Sequence, residues 1–266
     1  TIFVKTINTM NYNNILLEIS DNISYITINR PNQLNALNSE TIKELNSAIL
    51  YSEDNKDVRC IILTGSGTKA FVAGADIKEF AGFSVEEGEN LARKGQEQLF
   101  DLLENCSKPT IAAVNGFALG GGLELAMSCH IRVASLNAKM GLPEVSLGLI
   151  PGYGGTQRLS NLVGKGKAME MICTSGVLSA EDALQWGLLN SICNQEDLIS
   201  NCEKIASKIC RNSPMAISSA IKSVNAGFID GIDGFEVEKI EFGKCFGTEQ
   251  FTEGTTAFLE KRKANF

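Results

Sequence analysis

An alternation of short apolar strands with helical segments over the first half of the chain is the feature that most constrains its fold. Two β-branched runs at residues 15–19 and 23–28 flank the polar pair Asp21-Asn22, a pattern that predicts a β-hairpin. Strands that alternate with helices are typical of βαβ units, whose strands lie parallel in one sheet. The pattern therefore predicts an α/β fold with a largely parallel core sheet. Further strands are predicted at 58–63, 110–114 and 131–134.

Polar residues that favour helix N-termini mark where the helices begin. Ser39 is predicted to cap a helix that runs to about Leu50. Ser84 and Glu87 form a capping-box pattern for a helix that runs through about Asn105. From about Gly155 the chain is largely helical and has too few strand patterns for a second sheet of its own. We therefore expect one α/β domain that continues into a helical C-terminal extension.

The composition restricts the classes of protein to which the chain can belong. Of its 266 residues, 44% are hydrophobic, which is enough to build a sizeable core and excludes a disordered chain. The 31 acidic and 24 basic residues give a net charge of −7, which argues against a broad nucleic-acid-binding surface. No stretch approaches the ~20 apolar residues of a membrane-spanning helix. Residues 1–9 precede Met10, and we expect them to be a remnant added before the native start.

The cysteine and histidine counts bear on the compartment and on the chemistry. Eight cysteines without a C-x-x-C pair, in a chain of this size, favour reduced thiols and a cytoplasmic location. His130 is the single histidine, which argues against a His-based zinc site or a Ser-His-Asp triad, because each would depend on that one residue. We therefore expect no metal site, and a chemistry that rests on carboxylates and backbone amides.

Three consecutive glycines, Gly120 to Gly122, lie between a predicted buried strand and a predicted helix. Glycine lets a ligand approach the backbone closely, and the unpaired N–H groups and dipole of a helix N-terminus attract negative charge. The loop therefore suits either a phosphate or a developing oxyanion. The pattern G-x-x-x-x-G-K-[ST] is absent, because Ala168 follows Gly164-Lys165-Gly166-Lys167, so the oxyanion is favoured.

Two glutamates accompany this glycine loop. Glu124 falls in the first turn of the predicted helix, and Glu144 follows Pro143 ahead of another glycine-rich run at 148–155. Each also has an ordinary explanation, since Glu124 can offset the helix dipole and Glu144 can be a solvated loop residue. Paired carboxylates beside an oxyanion hole would suit acid–base chemistry, but spacing alone does not bring these two together.

Several motifs in a fixed order give the chain a resemblance to a known family. They are Asn29-Arg30-Pro31, Asn35-Ala36-Leu37-Asn38, Phe71 to Lys78, Ala112 to Gly116, Leu119 to Ala126, Pro143-Glu144, Ile150-Pro151-Gly152, Gly154 to Leu159 and Thr256 to Lys263. Over essentially Met10 to Phe266 the chain resembles the crotonase (enoyl-CoA hydratase/isomerase) superfamily. Within it, the chain most resembles the short-chain enoyl-CoA hydratases, including bacterial 3-hydroxybutyryl-CoA dehydratases.

The resemblance implies a fold and an assembly. The fold would be the α/β crotonase (ClpP/crotonase-like) fold of repeated ββα units, with its core over residues 10–200. A helical region over residues 201–266 would take part in oligomerisation and in CoA binding. The assembly would be a homohexamer, built as a dimer of trimers.

The resemblance also implies an activity. The protein would be a hydro-lyase that adds water reversibly to a short-chain 2-trans-enoyl-CoA, such as crotonyl-CoA, in fatty-acid β-oxidation or butyrate-type metabolism. By position, the backbone amides of Ala75 and Gly121 would form an oxyanion hole. Glu144 would deliver a proton to the α-carbon, and Glu124 would position and deprotonate the water. No cofactor is implied, because coenzyme A is part of the substrate.

Further positions are implied to contact the CoA. The adenine and pantetheine would lie near Ala36 and near Ala73, Gly74, Asp76, Ile77 and Lys78. Gly152 falls where a backbone amide lies near the catalytic water and the thioester. Phe258 and Lys261 would contact the CoA of a neighbouring protomer, although a solvated helix end explains Lys261 equally well.

Two positions depart from the family's pattern, and two other functions stay open. Leu142 stands where glutamine is frequent, which can change the surroundings of Glu144. His130 stands where aspartate is common, and we expect a structural role for it. A double-bond isomerase or thioester hydrolase on the same fold is the alternative enzyme, although these usually lack one of the two glutamates. A non-catalytic RNA-binding relative is a further alternative, against which the net charge of −7 argues.

Overall fold

A computed structural model of the protein describes residues 6–7 and 12–266 and arranges them in two β-sheets flanked by helices. The described strands are β1 (Thr6–Ile7), β2 (Ile15–Ser20), β3 (Ile23–Ile28), β4 (Cys60–Gly65), β5 (Ala70–Val72), β6 (Thr110–Val114), β7 (Phe117–Leu119), β8 (Ile131–Ser135), β9 (Lys139–Gly141), β10 (Val177–Ser179) and β11 (Ser191–Cys193). The described helices are α1 (Ser39–Asp54), α2 (Val85–Gly95), α3 (Asp101–Glu104), α4 (Gly121–Ser128), α5 (Gly155–Val163), α6 (Lys165–Thr174), α7 (Ala180–Gln185), α8 (Leu198–Ile209), α9 (Pro214–Ala226), α10 (Gly234–Cys245) and α11 (Glu249–Leu259).

The main sheet has seven described strands in the order β1-β2-β3-β4-β6-β8-β11. The predicted hairpin is confirmed, since β2 and β3 pair antiparallel, and from β3 to β11 every pair is parallel. Successive side chains of a strand point to opposite faces of the sheet. Ile61 and Leu63 accordingly join the larger apolar cluster, while Cys60 and Ile62 join the smaller one beneath α8. Both faces are therefore buried.

A second sheet lies beside the first and has four strands in the order β10-β9-β7-β5. Each of β5, β7 and β9 follows a strand of the main sheet directly, and these three strands are parallel to one another. This arrangement gives the repeated ββα units that the resemblance implies. Since neighbouring parallel strands end at the same edge of a sheet, the segments that follow β5, β7 and β9 come together there.

The first helices differ from the sequence predictions at their ends. The cap of α1 is Asn38 rather than Ser39, because the Asn38 side chain accepts a hydrogen bond from the Thr41 amide at 2.9 Å. The helix also continues past Leu50 to Asp54, where buried residues still line its inner face. The predicted capping box at Ser84 is confirmed. The helix that it opens is interrupted by a π-helical turn, Gln96–Phe100, before it resumes as α3.

The C-terminal part of the chain is helical. Helix α8 spans the predicted boundary at residues 200 and 201 and packs on the main sheet through Leu198, Cys202 and Ala206. The helices that extend beyond the sheet therefore begin with α9. None of the described helices has the length and apolar character needed to cross a bilayer. All eight cysteines are free thiols. Of the predicted remnant 1–9, the described residues are Thr6 and Ile7, whose strand pairs with β2.

His130 holds two elements together. Its Nδ1 accepts a hydrogen bond from the Thr110 amide at 3.0 Å, which leaves Nε2–H to donate to the Glu104 carbonyl, also at 3.0 Å. Burial lowers the pKa of the imidazole, so the ring is neutral at physiological pH. The expected structural role of His130 agrees with these contacts, which join the start of β6 to the end of α3.

Candidate active site

Three of the residues singled out from the sequence follow the three parallel strands of the second sheet. Ala75 follows β5, Gly121 follows β7 and begins α4, and Glu144 follows β9. Because β7 lies between β5 and β9, the three segments are neighbours at one edge of the sheet. A Cβ built on Gly121 would lie 3.7 Å from the Ala75 nitrogen. The fold thus joins positions that are far apart in the sequence.

A glycine with positive φ precedes each of the two amides proposed for an oxyanion hole. Gly74 has φ +124° and Gly120 has φ +51°, backbone conformations that favour glycine. These turns direct the chain out of the sheet, and neither the Ala75 amide nor the Gly121 amide donates a hydrogen bond to a described residue. Gly121 is also the first residue of α4, where the helix dipole favours negative charge. Two backbone N–H groups without a hydrogen-bond partner among the described residues therefore lie at the same edge of the second sheet.

The third glycine of the run serves a different purpose. A Cβ on Gly122 would lie 1.9 Å from the Val72 carbonyl oxygen, so only glycine lets α4 approach β5 this closely. This close approach holds the N-terminus of α4 against the strand that leads to Ala75.

The Glu124 side chain is held inside the protein by backbone amides. It lies on the first turn of α4 with 1% of its surface exposed. Its Oε1 accepts hydrogen bonds from the amides of Tyr153 and Gly155, each at 2.8 Å. Its other oxygen, Oε2, has no hydrogen-bond partner among the described residues. One oxygen thus fixes the carboxyl group, while the other is available to a ligand.

The surroundings of Glu124 make its carboxyl group an acid of near-neutral strength. Burial raises its pKa from 4.5 to about 7, and the nearby charge of Glu144 adds to this effect. The hydrogen bonds from Gly155 and Tyr153 and the positive charge of Arg158 oppose it. A carboxyl group with a pKa near 7 exchanges protons readily at physiological pH.

Glu144 lies against the glycine turn with far fewer contacts. A Cβ on Gly120 would lie 2.9 Å from Glu144 Oε1, which places this carboxyl group over the turn that leads to Gly121. Its Oε2 is buried and has no hydrogen-bond partner in the described part of the chain. Burial raises the pKa of this carboxyl group. Since an unpaired buried oxygen is costly, the site favours a protonated Glu144 or a bound polar ligand.

The loop that holds Glu124 is itself fixed by the helix beside it. Gln96 Nε2, in the π-helical turn, donates to the Gly152 carbonyl at 2.7 Å. The Tyr153 ring stacks on Phe100 with centroids 4.6 Å apart and lies against Gly95, where a Cβ would come within 2.2 Å of it. These contacts fix the backbone of the loop whose amides bind Glu124.

Arg158 ties the same loop to α3. Its guanidinium donates to the Tyr153 carbonyl at 2.9 Å, and it also binds Asp101 at 2.8 Å and Glu104 at 2.6 Å. The side chain is buried, with 9% of the residue exposed. Because it binds the carbonyl of the residue whose amide holds Glu124, Arg158 is a positioning residue for that carboxylate.

The segment predicted to bind CoA forms a bridge with the loop after β3. Leu37 and Ala75 pair as parallel bridge residues, and the Ala73 amide donates to the Leu34 carbonyl at 3.1 Å. Arg30 joins both sides, since it donates to the Ala36 carbonyl and forms an ion pair with Asp76 at 3.3 Å. Ala36 and the 73–78 segment, including Gly74, Ile77 and Lys78, are thus neighbours beside the two unpaired amides.

Phe258 and Lys261 lie apart from this group within one chain. Phe258 is 82% exposed near the end of α11, and Lys261 follows that helix. Gly152, in contrast, is part of the loop that holds Glu124. The role of Phe258 and Lys261 in binding the CoA of a neighbouring protomer stays a prediction.

Comparison with known proteins identifies the family. The family model described as "Enoyl-CoA hydratase/isomerase" matches residues 18–266 of the chain. The chain belongs to the enoyl-CoA hydratase/isomerase family. This is the crotonase superfamily that the motifs indicate, so the predicted family and fold class are confirmed.

Similar members of this family match the chain over nearly its whole length. It is 48% identical to the "Short-chain-enoyl-CoA hydratase" of Clostridium acetobutylicum, over 96% of this chain and 97% of that one. It is 46% identical to the "Crotonyl-CoA hydratase" of Syntrophomonas wolfei, over 97% and 99% of the two chains. The crystal structure of an enoyl-CoA hydratase from Bacillus anthracis superposes with a TM-score of 0.90 at 36% identity, covering 96% of this chain and 99% of that chain.

Some residues of this hydratase-family site gave no signal in the sequence. Gln96 contacts the loop from 56 residues away, and Arg158 joins the loop to acidic residues of α3 that lie 54 and 57 residues away. Neither side chain belongs to a local pattern that predicts such a contact. Gly155 and Arg158 belong to the family motif Gly154 to Leu159, which by itself assigns neither of them a role. Tyr153 contributes its amide, which any residue other than proline supplies. The Tyr153 side chain matters because its ring stacks on Phe100, a contact that is visible only in the folded structure.

Proposed function

We propose that the protein is an enoyl-CoA hydratase that adds water reversibly to short-chain 2-trans-enoyl-CoA thioesters, giving 3-hydroxyacyl-CoA. The observation that carries the proposal is a pair of carboxyl groups, that of buried Glu124 and that of half-buried Glu144, beside the unpaired amides of Ala75 and Gly121. Two carboxyl groups can take a proton from a water molecule and deliver a proton to the α-carbon in one reaction. The two amides can donate hydrogen bonds to a thioester oxygen that gains negative charge.

In this mechanism the thioester carbonyl oxygen accepts hydrogen bonds from the Ala75 and Gly121 amides. Negative charge develops on that oxygen as the β-carbon is attacked, and the dipole of α4 strengthens its interaction with Gly121. The loss of one such donor typically costs about 2.7–4 kcal/mol of transition-state stabilisation. The two amides therefore supply a substantial part of the rate enhancement.

The two glutamates act on the water and on the α-carbon. Ionised Glu124 accepts a proton through Oε2 from a water molecule, whose oxygen bonds to the β-carbon. Protonated Glu144 gives its proton to the α-carbon as the enolate collapses. The product gains one hydroxyl and one hydrogen, and the proton on Glu124 returns to Glu144 directly or through solvent. Burial raises the pKa of Glu144 and so favours its protonated form, while a pKa of about 7 leaves part of Glu124 ionised at physiological pH.

The preference for a short acyl chain rests on Tyr153. A Cβ on Gly121 would lie 3.5 Å from the Tyr153 ring, which fills the space beside the proposed oxyanion hole. The ring is 7% exposed and is fixed by its stack on Phe100. A long acyl chain in this direction would have to displace a packed aromatic side chain. The relatives from Clostridium acetobutylicum and Syntrophomonas wolfei are named for short-chain and crotonyl substrates.

The assembly is proposed to be a homohexamer in the cytoplasm, with an acyl-CoA as its only small-molecule partner. The helices α9 to α11 expose large apolar side chains, including Phe228, Phe235, Phe242, Phe246, Phe258 and Leu259. Such a surface on a folded chain indicates a contact with another protein surface. Light scattering is expected to give six times the mass of one chain, and a monomer would contradict the proposal.

The activity is tested with crotonyl-CoA as substrate. We expect the absorbance of the conjugated thioester to fall as 3-hydroxybutyryl-CoA forms, with turnover that matches its appearance by mass spectrometry. A 3-enoyl-CoA is the control substrate. Rapid conversion of 3-enoyl-CoA to 2-enoyl-CoA, without formation of the hydroxy product, would show an isomerase and overturn the proposal. Release of free CoA would show a thioester hydrolase.

A further inference from the structure

A second cavity, of about 420 Å³, lies away from the proposed thioester site. It is open to solvent and is lined by the C-terminal end of α4, by α5 and by α9, through residues that include Ser128, Asn161 and Val224. None of Glu124, Glu144, Ala75 or Gly121 lines it. The proposed function does not use this cavity.

Arg132, on β8, lines this cavity and is buried, with 6% of its surface exposed. Its Nε donates to the Leu188 carbonyl at 2.9 Å and its Nη1 to the Cys129 carbonyl at 2.6 Å. Both partners are neutral. No carboxylate in the described part of the chain forms an ion pair with Arg132, and its Nη2 has no hydrogen-bond partner there. The guanidinium thus has no ion-pair partner among the described residues.

A buried arginine cannot remove this charge by losing a proton, because its pKa stays far above physiological pH in proteins. Burial without an opposite charge is costly, and buried charges are normally paired. Two acidic residues of α3 are paired with another arginine. Glu104 lines the cavity, but its carboxylate is bound by Arg158 at 2.6 Å, and Asp101 is bound by the same arginine. Neither is paired with Arg132.

The remaining polar groups around the cavity do not supply a negative charge. His130 is neutral, and its two ring nitrogens are bonded to Thr110 and to Glu104. Asn225 lines the cavity from α9 and donates to the same Glu104 carbonyl at 2.6 Å. The cavity therefore combines an arginine that has no ion-pair partner among the described residues with room for a ligand of several atoms.

We propose that this cavity binds a small oxyanion, of the phosphate or carboxylate class, with the Arg132 guanidinium as its cationic partner. The planar guanidinium presents its free N–H groups in a fork that matches such oxygens. Helix α4 reaches from the proposed active site to this cavity. Its last residue, Ser128, lines the cavity, and the Ser128 hydroxyl donates to the backbone carbonyl of Glu124 at 3.0 Å.

The test uses a pair of variants that differ by one charge. His130→Asp places a carboxylate two residues from Arg132, on the same side of the strand, and so supplies an internal partner. His130→Asn has nearly the same size and shape but no charge. Both keep an oxygen that can accept the Thr110 amide hydrogen bond. Arg132→Gln removes the cation itself.

Thermal unfolding of the full-length protein is measured while sodium chloride is replaced by sodium phosphate at constant ionic strength. For wild type and His130→Asn we expect Tm to rise by about 2 °C, because a ligand that binds only the folded state stabilises it. For His130→Asp and Arg132→Gln we expect no rise. Any phosphate that binds at the thioester site contributes equally to all four proteins and cancels in the comparison.

An equal rise in Tm for His130→Asp and His130→Asn would overturn the proposal, as would a wild type without any response. The second result would also fit a carboxylate from a neighbouring subunit that pairs with Arg132. If Arg132→Gln does not fold, the two His130 variants still decide the question. The outcome is independent of the hydratase activity, because it is measured without acyl-CoA.

Discussion

The two glutamates of the site have opposite surroundings, although they lie next to each other. Glu124 is held by two backbone amides, and the loop that carries those amides is fixed in turn by Gln96 and Arg158. Glu144 lies over Gly120, and its buried Oε2 has no partner among the described residues. Among the described residues, the Glu124 carboxyl group receives two hydrogen bonds from backbone amides of another loop, whereas the Glu144 carboxyl group receives one from its own backbone amide.

This difference indicates a division of roles. A group that accepts a proton from a water molecule must hold that water at a defined position, and a fixed carboxylate oxygen does so. A group that is to deliver a proton must stay protonated, and burial, which raises the pKa of Glu144, favours its neutral form. The contrast therefore supports Glu124 as the base and Glu144 as the acid in the proposed reaction.

The largest expected effect comes from removal of either carboxyl group. Glu124→Gln and Glu144→Gln should each lower kcat for crotonyl-CoA by about 10²–10⁴-fold, the range typical for general acid–base groups. KM should change little, because neither glutamate is proposed to bind the CoA. Steady-state kinetics measure both constants. A variant that retains more than a tenth of the wild-type kcat would remove its glutamate from the mechanism.

A smaller loss is expected when the loop around Glu124 is released. Arg158→Met removes the hydrogen bond to the Tyr153 carbonyl and a positive charge that lowers the pKa of Glu124. We expect kcat to fall by about 10–100-fold, as for misplacement of a catalytic group. The acidic limb of the pH–rate profile, near pH 7 in wild type, should move to higher pH. Arg158→Lys is the control that keeps the charge.

If Arg158 were merely structural, its loss would reduce the amount of folded enzyme without moving that limb. The position of the limb therefore separates the two explanations. An unchanged limb in Arg158→Met would contradict its role in positioning and tuning Glu124.

A glycine substitution tests how tightly Glu124 is packed. In Gly155→Ala the added methyl group would lie 2.7 Å from Glu124 Oε1 and 3.0 Å from Pro151, so the carboxylate must shift. We expect kcat to fall about tenfold, because a small displacement of a catalytic group has a large effect. Gly166→Ala is the matched control, since it is also helical and its Cβ would meet nothing within 4 Å. Unchanged kinetics in both variants would mean that Glu124 tolerates displacement.

The smallest expected effect concerns stability. The pKa of Glu124 is about 7 in the folded protein and 4.5 ordinarily, so its contribution to stability is full below pH 4.5 and is lost as pH rises through 7. Glu124→Gln does not ionise and keeps an oxygen for the two amides. The Tm of this variant relative to wild type should therefore increase by about 3 °C between pH 5 and pH 8. A constant difference across that range would contradict the raised pKa.

The sequence predicts the main sheet well because its strands are long and rich in β-branched residues, as in Ile23–Ile28 and Cys60–Gly65. The strands of the second sheet have three residues each and are too short to show a period, so only the family resemblance implies them. They nevertheless create the site, because the chain leaves them at Ala75, Gly121 and Glu144.

The supports of the site lie beyond local sequence patterns for a related reason. Arg158 reaches Asp101 and Glu104 across more than fifty residues, and Gln96 reaches Gly152 over a similar distance. Each contact depends on how α3, α5 and the π-helical turn pack. No periodicity or capping rule encodes such packing, whereas the cap at Ser84 could be predicted because its partners are three residues apart.

The two glutamates are proposed to act as one unit on a single water molecule and one α-carbon. The deciding measurement is kcat for crotonyl-CoA hydration in Glu124→Gln, Glu144→Gln and the double variant. Groups that act together give losses that do not multiply, so the double variant should be no more than about tenfold slower than the slower single variant. A double variant whose loss equals the product of the two single losses would contradict the claim.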